Sequence, residues 1–159
     1  MTRTEGNSFL GLKVINLSDN TQVNSGGNTN VQTLQPPEGL IYKVIHLQYS
    51  ASDPAGSTTG THSFYVLYDA TDITDLDGDI FLIRLSGNTG TNILINYDEL
   101  TGDYETPGSD QESKTFFAGR TLNASNSIPL DFKYYNNTDA NQTATRQLNM
   151  IVEVYKEVL

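Results

Sequence analysis

Apolar and polar residues alternate along much of the chain. In "SIPLDFKYY", Ile128, Leu130, Phe132 and Tyr134 fall on one side of a period of two, and Pro129, Asp131 and Lys133 on the other. Successive side chains of a strand point to opposite faces, so this is a strand with one wet face. Pro129 marks a strand start or a sheet edge, because proline cannot donate to a ladder. "RQLNMIVEVY" alternates less strictly, with Leu148, Met150, Val152 and Val154 set against Asn149, Ile151, Glu153 and Tyr155. A helical stripe of Leu148, Ile151, Val152 and Tyr155 is the rival, and the β-branched run favours the strand. "IYKVIHLQY" (41–49), "HSFYVLYD" (62–69), "DIFLIRL" (79–85) and "NILINY" (92–97) are short, rich in Ile, Val, Leu, Tyr and Phe, and bounded by turn formers. "FLGLKVINL" near the start and "KTFFAGRTL" (114–122) carry a weaker form of the same signal. The pattern predicts an all-β fold of about eight strands with little or no helix, an antiparallel β-sandwich of jelly-roll type.

The intervening segments read as connections. "DLDGD" puts Asp77-Gly78 where a tight hairpin needs positive φ, and "SGNTGT" (86–91) is a second hairpin turn. Residues 98–113 hold Asp98, Glu99, Asp103, Glu105, Asp110 and Glu112 without a basic residue until Lys114, and predict a long, mobile, acidic surface loop. Residues 18–33, "SDNTQVNSGGNTNVQT", have almost no apolar content and predict an extended polar arm that orders against a neighbouring chain.

Composition narrows the class. The 159 residues suit a single domain, 1–159. Low apolar content is made up by Asn, Thr and Gly, which favour strands and turns over helices. The formal charge is −10, and the nine Lys and Arg are scattered singly. A nucleic-acid binder needs a basic stripe, and so does a protein held on an anionic membrane, so neither partner is expected. The absence of cysteine removes disulfides, thiolate zinc sites and cysteine nucleophiles. The N-terminus has no apolar signal-peptide core, so the four sequons at Asn16, Asn123, Asn136 and Asn141 read as chance in an Asn- and Thr-rich chain.

Candidate chemistry centres on "DITDLDGDIFLIRL". Asp72, Asp75, Asp77 and Asp79 suggest calcium, but with Gly78 at the sixth position of an EF-hand-type loop the first position is Ile73 and the twelfth is Arg84. The loop fails at both ends and reads as a solvated hairpin tip, with a looser calcium site as the open alternative. His46 and His62 lack a third ligand, no G-x-S-x-G elbow exists, and no two of the 19 acids can be paired as a glycosidase dyad from spacing. No catalytic, cofactor-binding or metal residue is therefore assigned, and no enzyme is expected. Tyr42, Tyr65, Tyr135 and Tyr155 are candidates for outward faces that stack on sugar rings or form subunit contacts.

From "LQPPEGLIYKVIHLQYSAS" onward the chain resembles small β-sandwich virion proteins of tailed bacteriophages. A proline-glycine turn leads into a strand with an aromatic and a lysine, and an "LYDATD…DGDIFLIRL" hairpin follows. "AGRTLNASNSIPLDFKYYNNTDANQTATRQLNMIVEVYKEV" then closes the domain. The likeness spans about residues 34 to 158 and is one of strands and turns. It implies a non-enzymatic capsid decoration (cement) subunit, or a single jelly-roll capsid component. Such a subunit is made in the host cytoplasm and bound as a homo-oligomer to the major capsid protein on the outer surface of the virion, where it stabilises the shell. It carries over no site residues. A receptor- or glycan-binding head of a tail fibre or spike is the alternative. Residues 8–33 are the expected clamp on a neighbour, by strand addition.

Overall fold

The computed structural model describes residues 8–28, 32–68, 81–88, 90, 92–98, 103–105, 111–116 and 122–157. Among them are twelve strands: β1 Ser8–Asp19, β2 Gly27–Asn28, β3 Gln32–Leu34, β4 Leu40–Ala51, β5 Gly60–Tyr68, β6 Phe81–Asn88, β7 Ile93–Asp98, β8 Asp103–Glu105, β9 Gln111–Phe116, β10 Leu122–Ser125, β11 Leu130–Thr138 and β12 Arg146–Lys156. They form two antiparallel sheets. Sheet one runs β1-β12-β4-β7-β8, with β10 also on β4, and sheet two runs β2-β11-β5-β6-β9, with β3 also on β11. The fold is the expected all-β sandwich.

Alternation decides which side chains face inward. Leu148, Met150 and Val152 of β12 and Leu130, Phe132 and Tyr134 of β11 are all buried in one core cluster. Across the gap between the sheets, Tyr49 of β4 stacks on Phe64 of β5 with ring centroids 3.7 Å apart, and Phe64 lies parallel to Phe132 at 6.4 Å. Burying each such ring contributes about 1.5–3 kcal/mol. β4 is the shared rail of sheet one. Its first half, Ile41–Val44, pairs with β10, and its second half, His46–Ala51, with β7. On its other side β12 pairs along its length, with Ile45 left over as a bulge where the register shifts.

Three expectations are revised. The extra strands are short ladders whose polar sequences carry no alternation signal. The segment 114–122 is not one strand: β9 belongs to sheet two and β10 to sheet one. The acidic segment 98–113 contains β8, on β7, and the start of β9, on β6. Among the described residues both are edge strands of their sheets, positions where charged sequences are common.

The 18–33 segment, in its described part, packs on its own domain rather than standing off as an arm. Val23 is buried, and its N–H and C=O both pair with Gln142. Ser25 N–H donates to Asn141 Oδ1 and Gly26 N–H to the Asn136 carbonyl. Asn136 is filled from every side: its amide donates to the Val23 and Ala140 carbonyls and its Oδ1 accepts from Thr138 N–H and Oγ1. A polar segment stays down because these buried hydrogen bonds replace the apolar contacts it lacks.

Candidate functional site

Two regions concentrate polar or exposed apolar groups. The first is internal and lies at the end of the sandwich closed by residues 19–28. Arg146 Nη2 is 3.0 Å from Asp19 Oδ2 and donates to the Thr21 carbonyl at 2.6 Å, while Nη1 donates to the Ala144 carbonyl at 3.0 Å. The guanidinium also lies over the Tyr134 ring, 5.2 Å from its centroid. Tyr134 Oη accepts from Gln142 Nε2 at 3.3 Å and lies 2.8 Å from His62 Nδ1. Burial pushes the Tyr134 phenol up to about 12 against the Gln142 hydrogen bond and the Arg146 charge. The Tyr49 phenol is also driven up, first by burial and then by Tyr134. Desolvation raises the Asp19 carboxyl, but hydrogen bonds from Thr21 and Arg146 together with the Arg146 charge outweigh it and hold the group below its ordinary value. The cavity beside this network is about 10 Å³, the size of one water and too small for a substrate. The network is a plug.

The second region is the outer face of sheet one. Register fixes its rows. Ser18, Gln147, Ser50 and Leu94 stand side by side, then Asn16, Asn149, Gln48 and Asn96, then Val14, Ile151 and His46. Farther along come Leu12, Glu153 and Lys43. One end of the face is therefore neutral amide and hydroxyl, and the β1 flank of the other end is apolar. Phe9, Leu10, Leu12 and Val14 are 55, 56, 64 and 65% exposed. Phe9 leans on Tyr155 with centroids 5.5 Å apart. Lys43 and Glu153 form a loose pair at 4.0 Å, and on the β7–β8 side the rows continue in register to acidic positions, Glu105 beyond Asn96 and Asp98 and Asp103 beyond His46. Among the described residues β1 pairs with β12 alone and is an edge strand of sheet one.

The expected site residues are dispersed. Asp72, Asp75, Asp77 and Asp79 lie outside the described residues. His46 is in sheet one and His62 in sheet two, and no group of three or more His, Cys, Asp or Glu is placed to hold a metal among the described residues. The tyrosine expectation is corrected. Tyr42 is in the core, Tyr65 and Tyr135 are buried on the far side of sheet two, and Tyr155 is half-buried against Phe9. None is a free stacking platform. Among the sequons, Asn123 and Asn136 are buried and Asn16 and Asn141 exposed. The β1 edge was legible as a strand, but its exposure was not, because which face meets the core depends on the partner strand.

No family model matches the chain, and no curated protein matches it. Among solved structures it is similar to "Crystal structure of Emp46p carbohydrate recognition domain (CRD), potassium-bound form" at 9% sequence identity and a TM-score of 0.32, over 94% of this chain and 90% of that one. At that level the likeness carries no argument about function.

Proposed function

We propose that the chain is a non-enzymatic structural protein of a virion, a capsid decoration subunit that grips the outer shell through strand β1 and stabilises it. The observation that carries this reading is the row of exposed apolar side chains, Phe9, Leu10, Leu12 and Val14, on a 12-residue edge strand. An edge strand presents unpaired N–H and C=O groups, and proteins that leave one free cover it or charge it. Here one charged residue, Lys13, stands within an otherwise apolar first half of the strand, in a chain of net charge −10. A strand of the major capsid protein added to this edge gains main-chain hydrogen bonds for affinity and apolar alternation for register. Many copies on one shell then hold by avidity, each with a modest contact. The bulge between Phe9 and Gly11 bends the start of the strand and discourages free copies from pairing edge to edge. The strand-and-turn resemblance to phage virion proteins supports the same role.

The test is co-sedimentation with purified shells that lack the protein. Wild type saturates the shells at a fixed stoichiometry. A Leu12→Glu, Val14→Lys variant keeps the net charge and the thermal melt but does not co-sediment. Full occupancy by that variant, with its fold intact, would refute attachment through β1.

A further inference from the structure

We propose that the hollow at the neutral end of the outer face of sheet one is a subsite for one uncharged sugar ring. The hollow measures about 260 Å³, and its floor and walls come from three neighbouring strands, β12, β4 and β7. Gln147, Ser50 and Leu94 form one row, and Asn149, Gln48 and Asn96 the next. The volume falls just under the range of about 300–1,000 Å³ usual for drug-sized ligands, which suits one ring with its neighbours left in solvent.

The chemistry of the lining selects the ligand class. None of these six side chains ionises, so the lining itself offers an ion no opposite charge; the row of Asn149, Gln48 and Asn96 continues in register to Glu105 of β8. Each carboxamide presents two N–H donors and an acceptor, and the serine hydroxyl presents both functions. Adjacent hydroxyls of a pyranose also donate and accept, and a cluster of amides meets them without any proton transfer. Among the described residues Gln147 Nε2 donates to Asn149 Oδ1 at 3.0 Å, which orients both amides. Among the described residues no other side-chain hydrogen bond occupies the Asn149 Nδ2 protons, the Gln147 Oε1 atom or the side-chain amides of Gln48 and Asn96. Leu94, 37% exposed, supplies the apolar contact that the C–H face of a ring requires. A dry protein partner fits worse, because covering this hollow would bury several neutral polar groups without partners. The subsite does not rest on the capsid reading, since a shell-bound subunit and a fibre head can both carry it.

The direct probe is nitrogen-15 NMR of the full chain, where backbone amides and the side-chain NH₂ pairs of Asn and Gln are seen together. Maltotriose, cellotriose and chitotriose are titrated to millimolar concentration. At least one is expected to shift the NH₂ signals of Gln48, Asn96 and Asn149 in a saturable way. Removing one amide, as Gln48→Ala or Asn96→Ala, is expected to weaken that binding about tenfold. The spectrum of each variant reports its own fold. The absence of saturable shifts with all three sugars overturns the proposal. So do shifts centred elsewhere, binding unchanged in the Gln48→Ala, Asn96→Ala double variant, or concentration-dependent broadening of these signals without sugar, which would make a second copy of the chain the occupant.

Discussion

Replacing Arg146 with alanine tests the plug that closes the sandwich. The side chain is 2% exposed, and it neutralises Asp19, whose side chain is 15% exposed. It also saturates the Thr21 and Ala144 carbonyls. Removing one partner of a buried ion pair costs about 3–5 kcal/mol, because the other charge stays behind unpaired. Asp19 can still be reached by water, so the low end applies, about 3 kcal/mol. For a domain of this size that lowers the melting temperature by roughly 6–12 °C. Urea denaturation with a double-mutant cycle, Arg146→Ala against Asp19→Ala, isolates the pair, and a coupling of about 1–2 kcal/mol is expected. The Thr21 hydrogen bonds and the Arg146 pair together set an acid limb. The folded Asp19 carboxyl titrates below its unfolded value of about 3.9. Its contribution is therefore fully present above that value and is lost as pH falls through the folded one. In the Arg146→Ala variant the acid limb below about pH 4 should flatten. A loss under about 1 kcal/mol, or strict additivity in the cycle, would refute the plug as a source of stability.

Other expectations concern separate elements. Gly60 sits at φ +93°, where a Cβ would lie 2.0 Å from the Asn137 carbonyl oxygen. Gly60→Ala should cost roughly 3 kcal/mol or more, read from the thermal melt. Hydrogen bonds from the Thr58 hydroxyl and from the Thr58 and Thr59 N–H groups hold the Asp139 carboxyl down to about 2. NMR titration should place its midpoint there, and Thr58→Val should move it up toward the ordinary carboxylate range. Spectrophotometric titration in base should find the Tyr134 phenol still protonated after exposed tyrosines have ionised, with its own midpoint near 12. Deleting residues 1–28 should leave a chain without a cooperative melt, because it removes β1, the Asp19 partner of Arg146 and the buried Val23.

Much of the fold was legible where alternation was strict. Phe132, Tyr134, Leu148, Met150 and Val152 all face inward as the period of two requires, and the rival helix for 146–156 is excluded by its pairing on both flanks. Two kinds of feature escaped. The first is main-chain pairing of polar residues: β2, β3 and the Val23 bridge leave no hydrophobic signal because their stabilisation comes from backbone and amide hydrogen bonds. The second is surface identity. The apolar positions of β1 predict a half-buried strand, yet Leu12 and Val14 face outward, because the opposite row, Ile15 and Leu17, is the one that meets the core. The hollow was invisible for a similar reason. Gln48, Asn96 and Asn149 are far apart in sequence, and only the register of three strands makes them neighbours.

The order in which the chain is synthesised meets the order of strands in sheet one. Among the described strands β12, which is made last, sits between β1, which is made first, and β4. Translation at about 5–20 residues per second separates the emergence of β1 from that of β12 by roughly 6–25 seconds. Throughout that interval β1 has no strand on either flank and its apolar row has no shelter. Sheet one can close only when β12 slides in, so a product that stops short of β12 keeps an unzipped, sticky β1 for proteases to find. The strand order makes β12 a gate on the sheet, and only copies that have made it can present the outer face of sheet one.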